Sequence, residues 1–230
     1  MYDWLITSKE QIVVAFDVCS STEIIEDLAL TNRLPRWLGV LDELQSLLYV
    51  KEKAVPFIAY KFVGDGWILL FPRDSSGGDI IHFLQSLSSL FANRFEEYVK
   101  PALMKTPPKN PGLKFGVDVG ITHRVRMLGA HEYIGRPLVT ACRLQARIED
   151  PETDPADKVL ISEGCYQRYF SEMSDVRRYD PTPITRDLKG IAGGTDFSCV
   201  LLSFPMKDRL RPPFPLNYFF SIYPECAVQN

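Results

Sequence analysis

The stretch KFVGDGWILLF, Lys61 to Phe71, decides the reading of this chain. It places Asp65 between two glycines, at the tip of a turn bounded by strand-like apolar runs. Asp-Gly in that setting is a hairpin signal by itself, so a hairpin from Phe57 to Phe71 is expected. An upstream stretch gives the turn further meaning. IVVAFDVCSST, Ile12 to Thr22, reads as a buried strand from Gln11 to Val18 that ends at a second carboxylate, Asp17. Ser and Thr follow it, residues suited to starting a helix. Two strand-end carboxylates invite a divalent metal, because Mg²⁺ prefers oxygen ligands and is usually held by one or two carboxylates plus substrate phosphates.

A third segment lies downstream, LKFGVDVGITHRVRMLGAHEYIGRPLVTACRLQARI, Leu113 to Ile148. Its first part alternates like a strand. Its last part has helical period, with Leu138, Ala141, Leu144 or Gln145, and Ile148 along one side. On the other side Arg136, Thr140, Arg143 and Arg147 follow at helical steps and make a basic stripe. Such a stripe is either a solvated face or a seat for a polyanion, which the guanidinium fork suits.

Together the three segments resemble the class III nucleotidyl cyclases, the adenylate and guanylate cyclase catalytic domain. An apolar strand ending F-A-D-I, then a loop and Thr, is matched by Ala15, Phe16, Asp17, Val18 and Thr22. K-x-x-G-D ahead of an apolar strand closing in Phe is matched by Lys61, Gly64, Asp65 and Phe71. The third signature, G-I-x-x-G followed by Y-x-x-x-G-x-x-V-N-x-A-x-R-L, is matched by Gly116, Val117, Gly120, Gly135, Leu138, Ala141, Arg143 and Leu144. The matches keep the family's order from about Gln11 to Leu202.

The resemblance implies an α/β (α+β) fold of ferredoxin-like, palm type. Its central sheet is mostly antiparallel, in β-α-β-β-α-β order with helices on one face. This domain would span residues 1–203, with a Pro- and aromatic-rich tail over 204–230. The implied metal site comprises Asp17, Val18 and Asp65, holding two Mg²⁺ or Mn²⁺ ions per active site. Arg143 would neutralise the α-phosphate and Lys189 would bind the triphosphate. Tyr60, Lys61 and Glu132 would line the base edge. The implied assembly is a homodimer in which the carboxylates of one protomer face Arg143 and Lys189 of the other.

Three departures bear on substrate. The family's Asn, four residues before the helix Arg, falls on Val139, so Thr140 or a neighbouring Arg takes that substrate-binding role or it is vacant. The Asp or Thr that adenylate cyclases use for adenine is Glu132, although the partner Lys is kept as Lys61. The K-G-K pair near the end reads Lys189-Gly190-Ile191. This altered pocket most resembles the bacterial pyrimidine cyclases of Pycsar anti-phage defence, which implies a nucleoside triphosphate substrate, UTP first, and cyclic UMP as product. Cytidylate or adenylate cyclase, and a non-catalytic nucleotide-binding homologue, stay open as alternatives.

The rest of the chain fits an enzyme of one domain. Its 230 residues can bury a full core. A net charge of −3 argues against nucleic acid as partner. Five scattered cysteines without a C-x-x-C pair point to reduced thiols. His82, His123 and His131 lack zinc spacing. MYDWLITSKE lacks the blocks of a signal peptide and no run is long enough to span a bilayer, so a cytoplasmic location is expected. Helices are expected near Thr22 to Leu30, Arg36 to Val50 and Ile80 to Met104, the last opened by Ser75-Ser76-Gly77-Gly78-Asp79.

Overall fold

The computed structural model describes residues 6–54, 56–105, 108, 111–148, 156–191, 193 and 195–205. Its central strand, β1 (Thr7–Val18), carries the unbroken apolar run. Alternation sends Ile12, Val14, Phe16 and Val18 into a large core shared with helices α1 (Ser21–Leu30), α2 (Leu34–Ala54) and α3 (Gly77–Arg94). Val13 and Ala15 enter a smaller core on the opposite face. A strand covered on both faces needs no polar alternation, which is why its sequence is continuous.

The hairpin forms as expected, from β2 (Ile58–Phe62) and β3 (Trp67–Pro72). It is followed by β4 (Leu113–Met127), β5 (Ala130–Ile134), α4 (Arg136–Ala146), β6 (Lys158–Ser162), α5 (Glu163–Tyr169), β7 (Thr182–Arg186) and β8 (Phe197–Ser203). The eight strands form one sheet in the order β2-β3-β1-β4-β6-β8-β7, with β5 on the far half of β4. Only β4 and β6 run parallel. The fold class is therefore the mostly antiparallel α+β sheet with flanking helices that the motifs imply.

The helices do not keep to one face. α4 lies across the side opposite α1, α2 and α3, packing Leu138 and Ala141 on Val13, Ala15, Ile68 and Leu70. Gly116 of β4 permits this approach, since a Cβ there would stand 2.0 Å from the Ala141 carbonyl oxygen and 2.4 Å from the Gln145 nitrogen.

The long third helix also differs from expectation. It starts at Gly77, where the Ser76 hydroxyl accepts from the Asp79 amide at 3.4 Å, and its α-helical part stops at Arg94. A π-helical turn, Phe95–Val99, and a 3₁₀ turn, Lys100–Ala102, complete the run. Pro101 explains the change, because it has no N–H to continue an α-helical ladder. Gly77-Gly78-Asp79 thus opens a helix. At the other end Phe204 packs between Phe115 and Tyr179, with ring centroids 6.0 and 5.9 Å away. The remaining tail, 206–230, lies outside the described residues.

Cys19, Cys142, Cys165 and Cys199 are free thiols. Among the described residues no helix is long and apolar enough to cross a membrane.

Candidate active site

The β1–β3 ladder runs from Gln11↔Pro72 to Phe16↔Trp67, so the next residues brought side by side are Asp17 and Gly66. The approach is close. A Cβ on Gly66 would lie 1.8 Å from the Phe16 carbonyl oxygen and 2.9 Å from the Asp17 Cα, so only glycine fits. Gly64 takes the positive φ of 101° that the turn needs, and the Val63 amide closes it on the Gly66 carbonyl at 2.9 Å. The turn thereby delivers Asp65 to Asp17, as its sequence predicts.

Asp17 is partly buried, with 26% of its side chain exposed. Its Oδ2 receives the Gln145 amide of α4 at 3.3 Å and lies 3.6 Å from the Lys114 ammonium. Its Oδ1 is buried without a hydrogen-bond partner among the described residues. Burial first, then the Asp65 carboxyl, pushes the Asp17 carboxyl up to about 7. The opposing pull of Lys114 is smaller. An orphaned carboxylate oxygen beside a second carboxylate is what a hard divalent cation would satisfy, so the residues present fit Mg²⁺ or Mn²⁺. Among the described residues no group of three or more His, Cys, Asp and Glu side chains converges on a metal position, which leaves the remaining ligands to substrate or water. Val18 turns its side chain into the core and is 1% exposed, so only its main chain is left to serve the site.

The residues expected at the base edge also meet. The Tyr60 hydroxyl donates to Glu132 Oε2, and Lys61 Nζ reaches the same oxygen at 3.0 Å. The Tyr60 oxygen in turn accepts the Tyr133 amide at 3.1 Å, and the two rings stand edge to face with centroids 5.0 Å apart. The bonds from Tyr60 and Lys61 hold the Glu132 carboxyl below its usual range. Burial and then Glu132 push the Tyr60 phenol up. Both bonds fall on Oε2, so among the described residues Glu132 Oε1 accepts none.

α4 divides its residues differently from the expected stripe. Arg136, Arg143 and Arg147 are exposed, but Thr140 is fully buried. Its hydroxyl donates to the Arg136 carbonyl at 3.1 Å and also meets Asp118. Thr140 is therefore no substitute for the family's Asn. The exposed side chain in that turn is Val139. Arg143 precedes Gln145 by two residues, about 200° around the helix, and so points away from the Asp17 of its own chain. Leu188, packed beside Leu144 and Ile148, anchors exposed Lys189 near the end of α4. Ile191, where the family has its second Lys, packs on that same cluster.

Sequence reasoning missed three supporting groups. Lys114 is a nearly buried lysine in the apolar half of β4, directly across from Asp17 in register. That incongruity was the available signal. Gln145 falls on the apolar side of the helical period, which hides its polar role. Asp118 is a buried carboxylate that receives the Ser162 hydroxyl at 2.5 Å and ties β4 to β6 and α4.

No protein-family model matches the chain, and no curated protein matches it. Solved structures do. The adenylyl cyclase CyaB from P. aeruginosa superposes with a TM-score of 0.63 at 16% identity, covering 88% of this chain and 98% of the other. The catalytic core of a rhodopsin-guanylyl cyclase with converted specificity, in complex with ATPalphaS, gives 0.60 at 14% identity, over 86% and 98%. Adenylate cyclases from Trypanosoma brucei in their monomeric state give 0.59 at 16% identity, over 90% and 95%. The chain thus has the fold of adenylyl and guanylyl cyclase catalytic domains over most of its length.

Proposed function

We propose that the chain is a nucleotidyl cyclase that converts UTP to cyclic UMP and pyrophosphate. The observation that carries the cyclase reading is the Asp17–Asp65 pair, with its orphaned oxygen at the end of β1. When bound there, two Mg²⁺ or Mn²⁺ ions would supply Lewis acidity to the attacking and leaving oxygens of an in-line displacement. The ribose 3′-oxygen forms a bond to the α-phosphorus, the bond to the pyrophosphate oxygen breaks, and the hydroxyl proton departs with pyrophosphate. Arg143 neutralises charge developing on the α-phosphate, a contact whose loss typically costs ~10²–10³-fold in rate. Lys189 and Arg147 hold the triphosphate.

Arg143 faces away from its own Asp17, which supports a homodimer whose two sites each draw carboxylates from one protomer and Arg143 and Lys189 from its partner.

For the base, Lys61 offers a donor to uracil O4, and Glu132 Oε1 accepts from N3–H. Tyr60 is fixed beside this pair by its hydroxyl bonds and by Tyr133. The same donor–acceptor pair matches N1 and the amino group of adenine, and retention of Lys61 favours that second reading. The resemblance to the Pycsar cyclases supports cyclic UMP as a second messenger in anti-phage defence.

Substitution tests the reading. Asp17→Asn and Asp65→Asn should each abolish turnover with the dimer intact, and Lys61→Ala should change the ratio of UTP to ATP turnover. Activity above about a tenth of wild type in either carboxylate variant, less than the loss of one ~1.4 kcal/mol contact, would reject the site.

A further inference from the structure

Tyr60 and Tyr133 also wall a cavity of about 490 Å³ that the proposed reaction does not use. It lies on the α4 face of the sheet, toward the end of β1 opposite Asp17. Alternation places Lys9 and Gln11 of β1 on that face, with Thr122 and Arg124 of β4 and His131 of β5 beside them. Lys9 and Arg124 line the cavity and make no ion pair with any described residue. The acid next to Lys9 is not available to them. Glu10 leaves on the other side of the strand, where Arg168 binds its two oxygens at 2.6 and 3.1 Å.

The floor is a buried polar pair. Gln11 is 7% and Thr122 1% exposed, and the Thr122 hydroxyl donates to Gln11 Oε1 at 2.5 Å. A volume of this size falls among small-molecule sites, which span about 300–1,000 Å³. Two cations and tyrosine walls over a polar floor are a combination suited to a phosphate group carried on a small molecule.

We propose that this cavity is a second ligand site, distinct from the Asp17–Asp65 site, that binds a small phosphate-bearing anion. It stands on the residues of the cavity and not on the proposed reaction. Through Tyr60, whose hydroxyl holds Glu132, an occupant touches the base-edge group as well.

Calorimetric titration of the full chain in chelator, with inorganic phosphate and separately with 5′-UMP, tests it without turnover. At least one probe should bind with a Kd of about 1 mM or tighter. Lys9→Ala combined with Arg124→Ala should weaken that binding at least about tenfold, whereas Arg143→Ala should leave it unchanged. A preference for 5′-UMP would identify a nucleotide as the occupant, and equal affinity would identify free phosphate. No binding up to about 10 mM would overturn the proposal. So would binding that the double variant leaves intact, or a double variant that changes oligomeric state, which would assign the cations to a subunit contact.

Discussion

Asp17 sits under two opposed demands, burial and a facing carboxylate on one side and a nearby lysine on the other. Its carboxyl is pushed up to about 7, against an ordinary value of 3.8. The folded, metal-free chain therefore binds a proton that the unfolded chain has lost, so the stabilising contribution is complete below 3.8 and disappears as pH rises through about 7. A cation at Asp17 must displace that proton. The thermal shift caused by Mn²⁺ should accordingly grow from about pH 5.5 to about pH 8 and then level off, as followed by scanning fluorimetry. A shift of constant size across that range would contradict the assignment of Asp17 as a ligand. The two carboxylates themselves were legible in the sequence, because Asp17 closes an apolar run and Asp65 stands in a glycine turn between two. Lys114 and Gln145 were not, since cross-strand register and helix docking bring them to Asp17 from 97 and 128 positions away.

At the scale of elements, glycines decide which backbones touch. Gly66→Ala would force a methyl into the Phe16 carbonyl and should cost ~1–3 kcal/mol of stability. Displacing Asp65 by about 1 Å should lower turnover on the order of 10²-fold. Gly39, exposed in the interior of α2 with nothing within 4 Å of its would-be Cβ, provides the contrast. Gly39→Ala should stabilise the chain by up to ~1 kcal/mol without changing activity. Chemical denaturation of both variants separates the cases, and equal midpoints would show that close approach at Gly66 does not constrain the hairpin. The hairpin and the helical periods were legible because each is a local pattern. Periodicity shows that α4 has an apolar side, but not which face of the sheet it covers, so its place opposite the other helices came only from the fold. Thr140 was misplaced for a related reason. Its spacing fits the stripe, yet Asp118, 22 positions upstream, draws it inward.

For the whole molecule, the proposed homodimer would divide the reaction between two chains. Mixing Asp65→Ala with Arg143→Ala should restore activity from two inactive proteins, because a mixed dimer regains one complete site out of two. Random exchange should recover about a quarter of wild-type turnover. No recovery, with mixed dimers confirmed by native mass spectrometry, would place the complete site within a single chain. Cyclisation of a pyrimidine nucleotide is read out by giving the purified chain UTP, CTP, ATP and GTP together with Mn²⁺ and identifying the products by mass. Cyclic UMP and pyrophosphate are expected as the principal products. A cyclic purine nucleotide as the principal product, or no cyclic nucleotide from any of the four, would refute that reading.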